Sequence, residues 1–264
     1  MKEPLPEELL PLLSEELRGQ LSVLSAAVQV LSPLVQEREE PRYDDCLSIL
    51  NRSLYRMIRT LNNLDFAQLP EGEAILREEN LDLAALCRGL LRESGALAAM
   101  AGVTLRPELE GPPALLTRGD SELLRRMIFQ MLSNALRAAG EGGQAGICLS
   151  QKRGCAVITV WDDGPGLTPP ADFPADSLIP RPEGLGLGLP VARRIARLHG
   201  GVLMLGQRGE ERGMQAVASL PIRPLETGMS LKAPKGDRQG GFHSALLELS
   251  SVLPYQAFAP RDLE

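Results

Sequence analysis

The stretch GLGLGLPVARRIARLHGG, residues 184–201, changes pattern midway. Gly184, Gly186 and Gly188 alternate with leucines, Leu187 among them. From Leu189 onward apolar residues recur at helical spacing (Leu189, Ala192, Ile195, Ala196), with Arg193, Arg194 and Arg197 on the other side. A glycine loop feeding a helix N-terminus offers backbone N–H groups and the positive end of the helix dipole to an anion. Two familiar phosphate loops do not fit. A dinucleotide loop needs GxGxxG directly after a strand, and the preceding PRPE is a poor strand; a P-loop needs GK[ST], which is absent.

Two more segments carry polar features that packing alone does not require. In MLSNALRAA, Asn134 lies among apolar neighbours of a periodic helix, where its amide competes with the backbone. Its oxygen is a suitable neutral ligand for Mg²⁺, although an asparagine bonded to a neighbouring loop explains it equally well. In VWDDGPGL a strand delivers Asp162, and Gly164 and Gly166 turn the chain away. A carboxylate there can accept a bond from an adenine amino group while the glycines let a flat base approach; a plain Asp-Gly turn is the alternative.

Upstream, Leu10, Leu13, Leu17, Leu21, Leu24, Val28, Leu31 and Val35 are spaced by threes and fours, as are Tyr43, Leu47, Leu50, Leu54, Met57, Leu61 and Leu64. Each series is a helical seam close to the 3.5-residue coiled-coil period, and Pro41 suits the start of the second helix. Residues 1–70 therefore read as an antiparallel hairpin. Such a hairpin buries too little alone and calls for a second copy, a dimeric four-helix bundle, or for packing on the rest of the chain. Residues 71–80 read as a linker. Residues 81–221 alternate helices (from Leu81 and Ser121) with hairpins turning near Arg153-Gly154 and around Glu210 to Gly213, the pattern of a two-layer α/β sandwich with a mixed sheet. Residues 222–264 form a loop-like tail in which FHSALLELSSVLP suits one short helix. The class is α+β.

Composition narrows the function. With 264 residues, 44% hydrophobic, 23% charged and a formal net charge of −6, nothing electrostatic points to nucleic acid or an anionic membrane. Cys46, Cys87, Cys148 and Cys155 lack metal-ligand or CxxC spacing, so reduced thiols in a cytoplasmic protein are expected. No signal peptide is read in the acid- and proline-laced start. The charge-free run 19–36 carries Gln20, Ser22, Ser25, Gln29, Ser32 and Pro33, unlike the roughly 20 apolar residues of a membrane span.

SNALRAA, WDDGPGL and GLGLGLPVARRIARLHGG together resemble the N box and the two glycine boxes of the GHKL ATPase superfamily, and within it most closely the histidine kinases. The resemblance covers about residues 81–221 and implies a Bergerat-type ATP site. Asn134 would hold Mg²⁺, Arg137 would sit near the phosphates and Asp162 would hold adenine. Gly164, Gly166, Gly184, Gly186, Leu187, Gly188 and Leu189 would shape the pocket, with residues 168–182 as a lid. The hairpin likewise resembles the family's dimerisation and phosphoacceptor domain, but EELRGQL, residues 15–21, puts Glu15 where HELRxPL carries its histidine. Phosphotransfer there needs an imidazole nitrogen as nucleophile, and no histidine occurs in residues 1–198. Gln130 replaces the first N-box asparagine, at the place of the glutamate base of hydrolysing relatives; an amide cannot take a proton from water. Met214 stands where the family usually has threonine. His199 suits a helix C-terminus and His243 a surface.

The resemblance implies an ATP-binding, sensor-histidine-kinase-like signalling protein of two-component type that does not phosphorylate its own hairpin. Its expected partners are a second copy of the chain and a response-regulator-like or kinase protein. A kinase acting on another protein, or a scaffold with a vestigial ATP site, are the alternatives.

Overall fold

The computed structural model describes residues 9–36, 41–69, 76–108, 111–166, 186–208, 212–228, 231, 238–239 and 242–259. Two long helices, α1 (Leu9–Gln36) and α2 (Pro41–Gln68), precede a mixed sheet packed with helices. Its strands are β2 (Thr104–Glu108), β4 (Gln144–Lys152), β5 (Cys155–Asp162), β6 (Val202–Gln207) and β7 (Met214–Pro221), in the order β2-β4-β5-β7-β6. Only β2 and β4 pair in parallel within this sheet; the other neighbours are antiparallel.

Helices α3 (Leu83–Met100), α4 (Ser121–Ala139) and α5 (Gly188–Leu198) cover the sheet. Leu124, Met127, Ile128, Met131, Leu132 and Leu136 of α4 are buried together with Ile147, Leu149, Ile158 and Val160 of the sheet. The helix ends follow from local chemistry. Asp120 accepts a bond from the Leu123 N–H at 3.0 Å, capping α4, and Gly140 closes it at φ 66°. At the end of α5 the Gly201 and Gly200 N–H groups bond Ala196 and Arg197 carbonyls, both at 2.8 Å, a Schellman stop that needs Gly200 at φ 75°. His199 is buried there, accepting from the Asp120 N–H at 3.0 Å through Nε2 and bonding the Ile195 carbonyl through Nδ1 at 2.8 Å. It ties the end of α5 to the start of α4, a structural role.

The helix read from Leu81 starts two residues later. Asn80 and Leu81 belong to a strand, β1 (Glu79–Asp82), that pairs with β3 (Leu116–Gly119), and the Asp82 carboxylate caps α3 while also holding the Leu115 N–H, both at 2.9 Å. Four-residue strands this short leave no periodic trace.

The hairpin seams divide into two. Leu21, Leu54 and Leu61, with Val28 and Ile58, pack α1 on α2. Leu17, Leu24 and Leu31, and Tyr43, Leu50 and Met57, each seven residues apart, are exposed, Leu24 at 52% and Leu50 at 51%. The polar side of α2 faces inward, toward α5 and the tail.

The tail is built into the molecule. Beyond one ladder between β8 (Arg238–Gln239) and β9 (Phe242–His243), helix α6 (Ser244–Leu249) and a 3-10 turn (Tyr255–Phe258) wedge between α2 and α4. Leu246, Leu247, Leu249, Leu253 and Phe258 are buried, each stabilising the fold by about 1.5–3 kcal/mol as an upper estimate. Tyr55 of α2 meets Phe242 and Phe258 edge-on at 5.0 and 5.2 Å, and the Asn51 amide donates to the Phe258 carbonyl at 3.2 Å. His243 is half-buried at the head of α6.

Candidate functional site

A cavity of about 170 Å³ opens where α2, α4, the start of α5 and the tail meet. From α4 come Gln130, Asn134 and Arg137, one helical face at spacings of four and three. Gly186, Leu187, Gly188 and Leu189 supply the opposite wall. Gly186 holds φ 69°, and at Gly188 a Cβ would fall 2.7 Å from the Gln130 side-chain oxygen, so glycine lets the first turn of α5 rest on α4. Arg56, Arg59, Thr60 and Asn63 of α2 and Ser250 and Ser251 of the tail complete the lining.

Asn134 is half-buried, and its Nδ2 is a buried amide nitrogen without a hydrogen-bond partner within the described residues. An orphaned polar atom in a cavity wall is costly unless a ligand or water meets it. Gln130 is the opposite case. It is fully buried; its oxygen accepts from Arg59 at 2.9 Å, and its nitrogen donates to Glu248 at 2.6 Å and Asn63 at 3.2 Å. With the amide satisfied on both ends, Gln130 is a packed junction with no group to give to water.

Glu248, on α6, is the buried acid of this junction, facing Arg59 Nε and Arg126 Nε at 3.7 Å each. Burial raises its carboxyl above the usual range despite the attraction of Arg126 and Arg59. The same burial lowers the Arg59 guanidinium to about 10, with Glu248 opposing and Arg137, Arg126 and Arg56 adding repulsion; it is still cationic at neutral pH.

Asp162 lies at the end of β5, buried, its Oδ1 accepting from the Gly164 N–H at 3.0 Å and the Met214 N–H at 3.3 Å. Desolvation raises its carboxyl, partly offset by those two bonds. A Cβ on Gly164 would meet the Ala138 carbonyl at 2.3 Å, so this glycine brings the turn onto α4 one turn past Asn134. Gly166 takes φ 80°. Beside Asp162, the Arg208 guanidinium stacks 3.3 Å from the Trp161 ring centroid.

Thus Gln130, Asn134, Arg137, Gly186, Leu187, Gly188 and Leu189 surround one cavity, while Asp162, Gly164 and Gly166 are joined to it through α4 and do not line it. Gly184 and the lid segment 168–182 lie outside the described residues. Glu15 is exposed on α1 and lines no part of the cavity. Sequence reasoning missed the contributions of Arg56, Arg59, Asn63, Glu248 and Ser251. The signal was present only on α2, where polar residues at 56, 59 and 63 break the apolar repeat at helical spacing.

Residues 119–224 match the family described as histidine kinase-, DNA gyrase B- and HSP90-like ATPase. These residues thus carry a GHKL-type ATPase domain, and the chain around them is histidine-kinase-like in its similarities. It is 29% identical over 223 residues to the sensor protein KdpD of Escherichia coli (strain K12), an alignment covering 79% of this chain and 24% of KdpD. It spans about a quarter to a half of the length of curated relatives that it matches. Among solved structures, full-length ShkA in complex with AMPPNP superposes with a TM-score of 0.63 at 23% identity, covering 87% of this chain and 48% of that one. The histidine kinase ThkA in complex with the response regulator protein TrrA superposes with a TM-score of 0.52 at 17% identity, covering 81% and 62%. These likenesses establish a GHKL fold. No helix of the described residues is long and apolar enough to cross a membrane.

Proposed function

We propose that the chain binds ATP with Mg²⁺ in the cavity at Asn134 and works as a signalling component of two-component type, without phosphorylating its own hairpin. The observation that carries this reading is the Asn134 side-chain nitrogen, without a partner among the described residues, in a cavity whose opposite wall is the glycine-built N-terminus of α5, within an ATPase-family domain. Among the described residues the Asn134 Nδ2 has no hydrogen-bond partner, and the side-chain oxygen beside it is the kind of neutral ligand that suits Mg²⁺, a cation that takes few protein ligands and shares phosphate oxygens. Arg137 and the N–H groups of Gly186–Leu189 would meet the phosphates. Asp162, fixed by two backbone donors, would accept from the adenine amino group. The bound nucleotide supplies a transferable phosphoryl group and, with its metal, the charge that the site is shaped to meet.

What the chain itself withholds is an acceptor on the hairpin. Glu15 stands exposed in the position of the histidine, and Gln130 is locked into the Glu248 junction, which supports slow turnover by water as well. A second copy is the proposed cover for the exposed heptad ridge of Leu17, Leu24 and Leu31 with Tyr43, Leu50 and Met57, giving a four-helix bundle. A receiver protein of the response-regulator class is the proposed client, following the ThkA complex with TrrA. The test is titration of the purified protein with Mg-ATP, read beside a phosphorylation assay. Saturable binding without label on the hairpin is the expected result; no binding at millimolar nucleotide refutes it.

A further inference from the structure

Three guanidinium groups, from Arg56 and Arg59 on α2 and Arg137 on α4, line a cavity of about 170 Å³ whose remaining wall is the first turn of α5. They arrive from two separate parts of the fold, the hairpin and the ATPase domain. Gathering like charges in a partly desolvated place is unfavourable unless something anionic or strongly accepting sits among them. Arg59 is itself 9% exposed and is held in position by Gln130 on one side and Glu248 on another.

The acceptor that two of these guanidinium groups share is a hydroxyl. Ser251 Oγ accepts from Arg59 Nη1 at 2.5 Å and from Arg137 Nη2 at 2.9 Å, and lies 3.2 Å from the Ser133 hydroxyl. Two guanidinium donors converging on one oxygen is the arrangement by which arginines grip a phosphoryl oxygen. Ser251 places a neutral oxygen at that focus, at the end of α6, whose side chains are buried while Ser251 itself is only half-buried.

We propose that Arg56 and Arg59 of the hairpin join Arg137 in a site for the terminal phosphate of ATP, and that the Ser251 hydroxyl is a resident stand-in which that phosphate displaces. The inference rests on the ATP reading above and adds to it a discrimination and a coupling. ADP, lacking the third phosphate, leaves Ser251 in place; ATP moves the 250–251 turn and bridges the hairpin to the ATPase domain through the arginines. The tail is therefore a competitor for one phosphate rather than a cap over the whole site.

The experiment compares ATP and ADP affinity, in Mg²⁺, by calorimetry on the full chain and on two variants. Arg56→Gln removes a half-buried guanidinium outside the Glu248 junction, and Ser251→Glu puts a carboxylate among the arginines. Both are expected to weaken ATP by about tenfold, the scale of one charge-assisted hydrogen bond, while ADP affinity stays within about twofold. Equal changes for ATP and ADP, or none in either variant, overturn the shared phosphate site while leaving ATP binding intact. Wild-type protein that binds neither nucleotide refutes the ATP reading itself, and the shared site with it.

Discussion

Replacing Glu248 with alanine tests how the tail holds the two halves of the molecule together. The carboxylate is 4% exposed and faces Arg59 and Arg126 at 3.7 Å each. With an effective dielectric of about 20, each attraction is roughly 4–5 kcal/mol, from which the burial of all three charges must be subtracted. Burial raises the Glu248 carboxyl and lowers the Arg59 and Arg126 guanidinium groups, so it acts against all three charges. Removing only the anion leaves two buried cations and the Gln130 nitrogen short of its 2.6 Å acceptor. The expected loss is about 3–5 kcal/mol of folding stability. Urea denaturation followed by circular dichroism measures it, with Glu248→Gln as the companion that keeps the shape and an acceptor for Gln130. A loss below about 1 kcal/mol for Glu248→Ala, with an unchanged urea slope, would refute the claim that Glu248 is the charge on which this junction depends.

Other outcomes follow from the same geometry. His199 is buried as the neutral imidazole, with its value pushed below 6.5 chiefly by desolvation; its contribution to stability is whole above that value and is lost as pH falls through the folded one. Wild-type protein should lose more stability than His199→Gln between about pH 7 and pH 5 in thermal melts, and parallel losses would count against the assignment. Gly188→Ala would drive its Cβ toward a fully bonded Gln130 and should cost about 1–3 kcal/mol, read by urea titration. The proposed bundle predicts a dimer for the wild type in analytical ultracentrifugation and a folded monomer for Leu24→Glu with Leu50→Glu; a wild type that sediments as a monomer contradicts the bundle. Asp162→Ala should lower ATP affinity by about tenfold through loss of the acceptor for adenine, and unchanged affinity would remove Asp162 from the site.

Much of this was readable from the residues because periodicity and glycine placement report on local structure. The α5 pattern and the strand carrying Asp162 stand in the sheet and helices expected of them, and Asn134, Arg137 and Gly186–Leu189 meet in one cavity. What escaped was nonlocal. Glu248 in HSALLELSSV looks like an acid on the outer face of a short amphipathic helix, and six residues are too few for a period to say which side faces in. Only the wedge between α2 and α4 makes it a buried anion. Ser251 carries no local signal at all; its meaning comes from Arg59, 192 positions earlier in the chain. The seams of the hairpin were legible as apolar, but which leucines pair within the chain depends on the register between α1 and α2.

Helix α2 serves two surfaces at once. Met57 points to solvent while Arg59, two residues on, reaches the cavity, so one rod runs between the outside of the molecule and its arginine-lined cavity. An axial turn of about 20°, imposed by whatever presses on the outer ridge, sweeps a group roughly 6 Å from the axis through about 2 Å. That distance separates a made guanidinium bond from a broken one. A turn imposed on the outer ridge would therefore be read at the arginines of the cavity.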